Sequence, residues 1–170
     1  GRRALGGRGD INRDRYDDLV IGAPGVDASN SSATRTGEAY VLSGSTIPRT
    51  TATVSLSTPG TLIMTTLTAK VASDDAGYFV GMVGDTNADG SDDLIVGAPK
   101  ANPAAGSDLG EVYLFYGRSL SRSSTLSLST ADLTIAGTEA TSGNSISTTA
   151  STSSPAFSVR SLGRADFNGD

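Results

Sequence analysis

Cysteine, histidine and tryptophan are absent from this 170-residue chain, and lysine occurs only at Lys70 and Lys100. Without cysteine there is no disulfide framework, and without cysteine or histidine the usual zinc ligands are missing. The same absences remove the thiol nucleophile and the commonest general base. No G-x-S-x-G turn occurs. The carboxylate pairs Asp17–Asp18 and Asp92–Asp93 could suggest glycosidase chemistry, but their places in a repeated loop explain them better, the second of each pair as a ligand and the first pointing outward. The chain is therefore expected not to be an enzyme. A net charge of −5 gives no basic face for nucleic acid. No run of about 18 apolar residues is present, so no membrane span is expected. The opening segment GRRALGGRGD has no apolar core of a signal peptide. Both ends fall inside repeat units, as in a piece of a longer protein.

What the chain has instead is Gly, Ser, Thr and Asp, a turn-rich and β-rich balance. One acidic loop is written twice and begun a third time. Residues 10–24 read DINRDRYDDLVIGAP, residues 85–99 read DTNADGSDDLIVGAP, and residues 166–170 read DFNGD. Downstream, GEAYVLSG at 37–44 matches GEVYLFYG at 110–117. Equivalence of Asp10, Asp85 and Asp166 divides the chain into a first unit over about 1–73, a second over 74–156 and the start of a third over 157–170. A Ser/Thr-rich insertion at 137–155 accounts for the longer second period.

Each unit reads as short strands. Leu5–Gly9 and Phe79–Val83 lead into the loops. Leu19–Ala23 and Leu94–Ala98 lead out as apolar runs, as expected of central strands buried on both faces. Pro24 and Pro99 end them, because proline cannot donate to a ladder. Ala39–Leu42 and Val112–Tyr116 form a third strand, and residues 62–71 and Leu133–Ala136 a fourth. Residues 45–61 and 118–130 are Ser/Thr-rich with isolated leucines and carry little further signal. The expected class is all-β: four-stranded antiparallel propeller blades with calcium-binding hairpin loops, as a partial propeller. A solenoid is the competing architecture, but a unit of this length is long for one.

The loop suits calcium, which takes six to eight oxygen ligands in flexible geometry. Oxygen side chains fall at loop positions 1, 3, 5 and 9, and a main-chain carbonyl at position 7 would join them. The candidate ligands are Asp10, Asn12, Asp14, the Tyr16 carbonyl and Asp18 in the first loop. In the second they are Asp85, Asn87, Asp89, the Ser91 carbonyl and Asp93. Asp166, Asn168 and Asp170 begin a third set. Two bound Ca²⁺ would bring the net charge to about −1, so the acidity reads as ligand charge. Position 12 is Ile21 or Val96, so an EF-hand, which needs Glu there, is excluded. Asp-Asn-Gly clusters also make plain turns, yet two copies followed by the same strand favour the cation. Position 6 is Gly90 in the second loop but Arg15 in the first, where a positive φ would cost on the order of 1 kcal/mol.

The loop, the following L-x-V-G-A-P and the preceding Phe79 and Gly81 together resemble the FG-GAP repeat. It is similar to the repeats of integrin α-subunit headpieces and of many secreted bacterial proteins. The resemblance covers most of residues 3–117 and resumes at 157–170. It implies a seven-bladed β-propeller with calcium in some blade loops, in a secreted or cell-surface setting. It also implies adhesion, ligand binding or scaffolding, with a protein or glycan held by the variable loops and further blades from the same or a neighbouring chain. The first unit departs from the pattern, with Ala4-Leu5-Gly6-Gly7 before its loop and no Phe. Two other roles stay open: an accessory propeller of a larger secreted enzyme, such as a phospholipase or polysaccharide-degrading protein, and a self-assembling surface protein. Arg8-Gly9-Asp10 spells an adhesive tripeptide, but its Asp is loop position 1. Asn30-Ser31-Ser32 is a glycosylation sequon. Tyr40 and Tyr113 are expected to pack between blades.

Overall fold

The computed structural model describes residues 4–26, 36–50, 53, 55–56, 62–102, 109–120 and 124–137. The sequon, the insertion beyond Gly137 and the third loop copy lie outside them. Among the described residues nine strands are present: β1 (Ala4–Gly7), β2 (Leu19–Ala23), β3 (Glu38–Leu42), β4 (Ile63–Thr68), β5 (Phe79–Gly84), β6 (Asp93–Ala98), β7 (Glu111–Phe115), β8 (Ser124–Ser127) and β9 (Leu133–Ala136). Eight of them are the strands expected from the sequence. The ninth, β8, lies in a Ser/Thr-rich stretch that carried no such expectation, as does a single helical turn, α1 (Gly117–Leu120).

The strands form two sheets. The second has order β5-β6-β7-β9, every neighbour antiparallel, which is the four-stranded unit expected. The first has order β1-β2-β3-β4-β8. Its first four strands are antiparallel, but β8 pairs parallel with β4, Thr65 opposite Ser124 and Thr68 opposite Ser127. This corrects the expectation of four strands for the first sheet, because the fifth comes from sequence that follows β7.

The sheets pack face to face through β1 and β2 against β5. Gly6 makes the approach possible: a Cβ there would lie 3.0 Å from the Gly81 Cα and 3.1 Å from the Val80 carbonyl oxygen. The main core fills this seam, with Val20, Val41 and Leu67 meeting Val96, Tyr113 and Phe115. Tyr40 and Leu42 form a separate cluster on the outer face of the first sheet, and Ile95 and Val112 one on the outer face of the second. Strand β6 is buried throughout, as expected, whereas β2 alternates, with Leu19, Ile21 and Ala23 only half-buried. Phe79 lies over Gly81 and Gly97 on the outer face of β6, whereas the equivalent place in the first sheet is Ala4, which leaves β2 without a large side chain at that place to cover it. Pro24 and Pro99 stand where β2 and β6 end, and in each case a turn closes on the last strand carbonyl (Val26 N–H to Ala23, Ala101 N–H to Ala98, both 3.1 Å).

Candidate metal loops

Residues 10–18 and 85–93 connect the first and second strand of each sheet, so both lie at the same end of the molecule. Their internal bonding matches pair for pair. The position-1 carboxylates accept from the N–H groups of positions 5 and 6. Asp10 takes Asp14 at 3.0 Å and Arg15 at 2.8 Å, and Asp85 takes Asp89 at 3.0 Å and Gly90 at 2.7 Å. The position-3 carboxamides accept from the same Asp14 and Asp89 N–H groups, each at 3.0 Å. They also donate back to the Asp14 and Asp89 carboxylates. Asp14 and Asp89 in turn accept from the N–H of position 7, Tyr16 or Ser91, both at 2.9 Å.

Position 9 closes each loop. Buried Asp18 accepts from Ile11 and Gly44 N–H, both at 2.9 Å. Buried Asp93 accepts from Gly117 N–H at 3.0 Å, Thr86 N–H at 2.8 Å and the Thr86 hydroxyl. Gly44 and Gly117 occupy equivalent places just after the third strand. A Cβ on Gly44 would lie 1.9 Å from the Asp17 carbonyl oxygen, and one on Gly117 2.1 Å from that of Asp92. The glycine that ends each G-E-x-Y-x-x-x-G segment is thus the seat of the acidic loop.

The backbone turns left-handed twice in each loop. Position 4 has φ 62° at Arg13 and 56° at Ala88, and position 6 has φ 69° at Arg15 and 87° at Gly90. Arg15 therefore does hold the strained conformation expected of it, on the order of 1–2 kcal/mol. The second left-handed residue, at position 4, had no signal in Arg or Ala.

The candidate ligand atoms are carboxylate, carboxamide or main-chain carbonyl oxygens, a chemistry suited to a hard divalent cation. Among the described residues no three acidic side chains gather into a group that could hold a metal. The carboxylates close instead on the loop's own N–H groups. Burial alone would raise the Asp14 carboxyl, but the hydrogen bonds from the Ser45 hydroxyl, the Tyr16 N–H, Asn12 and Ser43 together hold it below its ordinary value. Asp89 is held low first by the Ser91 N–H, then by Asn87 and the guanidinium groups of Arg13 and Arg118. Burial pushes Asp18 up, and the charges of Asp14 and Asp10 add to this against the two N–H bonds.

The loops differ in what surrounds position 5. Asp14 is gripped by its own unit, through the hydroxyls of Ser45 at 2.6 Å and Ser43 at 3.3 Å. Asp89 is reached by the other unit. Arg13 donates from Nη2 to Asp89 at 3.2 Å and from Nε to the Ser91 hydroxyl at 2.9 Å. The loops also share a reciprocal pair: Asp10 N–H donates to the Asp92 carboxylate at 2.7 Å, and Asp92 N–H to the Asp10 carbonyl at 3.1 Å. Asp17 is exposed, as its loop position implied, but Asp92 is half-buried and corrects the expectation that it points outward. Arg13, Asp92, Ser43 and Ser45 were missed as site residues. Only comparison of the copies could have singled out Arg13, since its counterpart is Ala88. The Arg8-Gly9-Asp10 tripeptide is buried at Gly9, and the Asp10 carboxylate is spent on Asp14 and Arg15.

The family model for the FG-GAP repeat matches residues 5–42 and 76–115. Both segments are FG-GAP repeats. Each FG-GAP segment runs from its first strand through the acidic loop to the third strand, so the two matched loops belong to the family pattern. No curated protein matches the chain. Among the described residues no helix is long and apolar enough to cross a membrane.

Proposed function

We propose that this chain is a non-enzymatic propeller module, secreted or at a cell surface, whose FG-GAP loops bind Ca²⁺ and whose variable segments at 25–36 and 100–109 present a surface to a protein or glycan. The observation that carries this reading is the pair-for-pair identity of the two loops despite different residues at positions 2, 4, 6 and 7. Asp10, Asn12, Asp14, Asp18 and the Tyr16 carbonyl would hold one ion. Asp85, Asn87, Asp89, Asp93 and the Ser91 carbonyl would hold another, and Asp166, Asn168 and Asp170 begin a third set. The ion would supply the positive charge that three carboxylates per loop call for. Mg²⁺ suits the loops less, because it keeps its waters and takes few protein ligands.

Stacking of further blades on both outer faces belongs to the same reading. It is supported by the half-buried Leu19 and Ile21 on one face and by Leu133 and Ile135, 48% and 53% exposed, on the other. Calorimetric titration of the chain with calcium, followed by melts in calcium and in chelator, tests the proposal. About two ions bound with a rise in Tm is the expected result by linkage. A cooperative melt that calcium leaves unmoved would reduce both loops to plain turns.

A further inference from the structure

Among the described residues, the parallel strand β8 is the one element that crosses from the second unit to the first sheet. Its sequence recurs. Residues 124–130 read STLSLST, and residues 52–58 read ATVSLST. The pattern T-x-S-L-S-T has a local physical meaning in the copy at 124–130. Thr125 and Leu126 pair with Thr66 and Leu67. Ser127 then caps a single 3-10 turn, accepting from the Ser129 N–H at 3.2 Å. Leu128 plugs the seam between the sheets, fully buried, and Thr130 donates back to the Ser127 carbonyl at 2.8 Å. In the other copy, Leu56 packs against the Tyr40 cluster, which is the counterpart of the Tyr113 side of the seam. Each unit therefore carries the same T-x-S-L-S-T sequence between its third and fourth strands, and the copy at 124–130 uses it as a strand followed by a leucine plug.

Strand β9 is the counterpart of β4. Its register on β7 (Glu111 opposite Ala136) repeats that of β4 on β3 (Glu38 opposite Thr68). Among the described residues β4 carries β8 on its outer edge, whereas nothing pairs with the outer edge of β9, and all four β9 residues are exposed. An unpaired edge with apolar side chains is a template for another strand.

We propose that the outer edge of β9 accepts a parallel strand of the T-x-S-L-S-T type lent by a further repeat unit, as β8 is lent to β4. The donor belongs to the unit after the acceptor in the one pair the structure shows, so the occupant is a following unit and the pairing runs in one direction along the array. The inference is independent of calcium.

Hydrogen exchange followed by NMR on the full chain tests it, with a capped peptide SSTLSLST as the donor. Saturating peptide is expected to slow exchange at residues 133–136 by at least about tenfold, and the same peptide N-methylated at alternate amides is expected to have no effect. Protected β6 amides in the same spectra report that the chain is folded. Unchanged β9 exchange at about 5 mM peptide, a weak-binding limit, overturns the proposal. Equal protection by the N-methylated peptide also overturns it, since apolar contact alone would then suffice. Protection of β9 that grows with protein concentration before peptide is added assigns the edge to a second copy and overturns the assignment to a following unit.

Discussion

Leu67 and Ile135 stand at equivalent positions in the two sheets, yet Leu67 is fully buried and Ile135 is 53% exposed. Thr65 and Leu133 differ in the same way, although the buried member of that pair is the polar one. Thr65 resolves its burial by donating to the Leu120 carbonyl at 2.6 Å, a group supplied by the second unit. On the opposite faces the order reverses, with Tyr113 sealed in the seam and Tyr40 in an outer cluster. Both tyrosine hydroxyls donate to the glutamate two residues earlier, Glu38 or Glu111, whatever their neighbours. Bonds within a strand are thus a property of the unit, while burial is a property of its neighbour. A repeat that cannot bury its faces alone behaves in this way.

Five substitutions test how far the units are alike. Gly44→Ala and Gly117→Ala drive a Cβ into main-chain oxygen at matching places, and each is expected to cost about 3–5 kcal/mol by urea denaturation. A large gap between the two would show that the acidic loops are seated differently. Leu67→Ala removes a buried side chain and is expected to cost about 3 kcal/mol, against under about 0.5 kcal/mol for Ile135→Ala. Similar costs would mean that something already covers β9. The smallest effect is a gain: Arg15→Gly relieves the left-handed strain at position 6 and is expected to stabilise by about 0.5–1 kcal/mol. A loss of stability there would mean that the Arg15 side chain makes a contact worth more than the strain.

Much of this architecture was legible in the residues. The acidic loops, the apolar runs around them and the prolines that stop those runs reported eight strands, because each is written in local chemistry, whereas the seating of the loops on Gly44 and Gly117 was not read from the sequence. β8 was not legible by periodicity, since Ser-Thr-Leu-Ser offers neither an apolar run nor a clean alternation. Its signal was the second copy of T-x-S-L-S-T, visible only by aligning stretches that looked featureless. Arg13 was hidden for a different reason: its partners Asp89 and Ser91 lie more than seventy residues away. The half-buried alternation of β2 likewise depends on what covers the sheet rather than on Leu-Val-Ile-Gly-Ala itself.

The reciprocal pair between Asp10 and Asp92 has a consequence for how such an array keeps its spacing. Two bonds involving main-chain atoms tie one loop directly to the next, so the pitch between neighbouring units is gauged at that rim. Connections elsewhere can lengthen or shorten without disturbing the gauge. The twelve residues of 25–36 and the ten of 100–109 differ in length while the loops stay in step. Errors in spacing then do not accumulate along the array, and variation in length falls on the connections between the second and third strands of each unit.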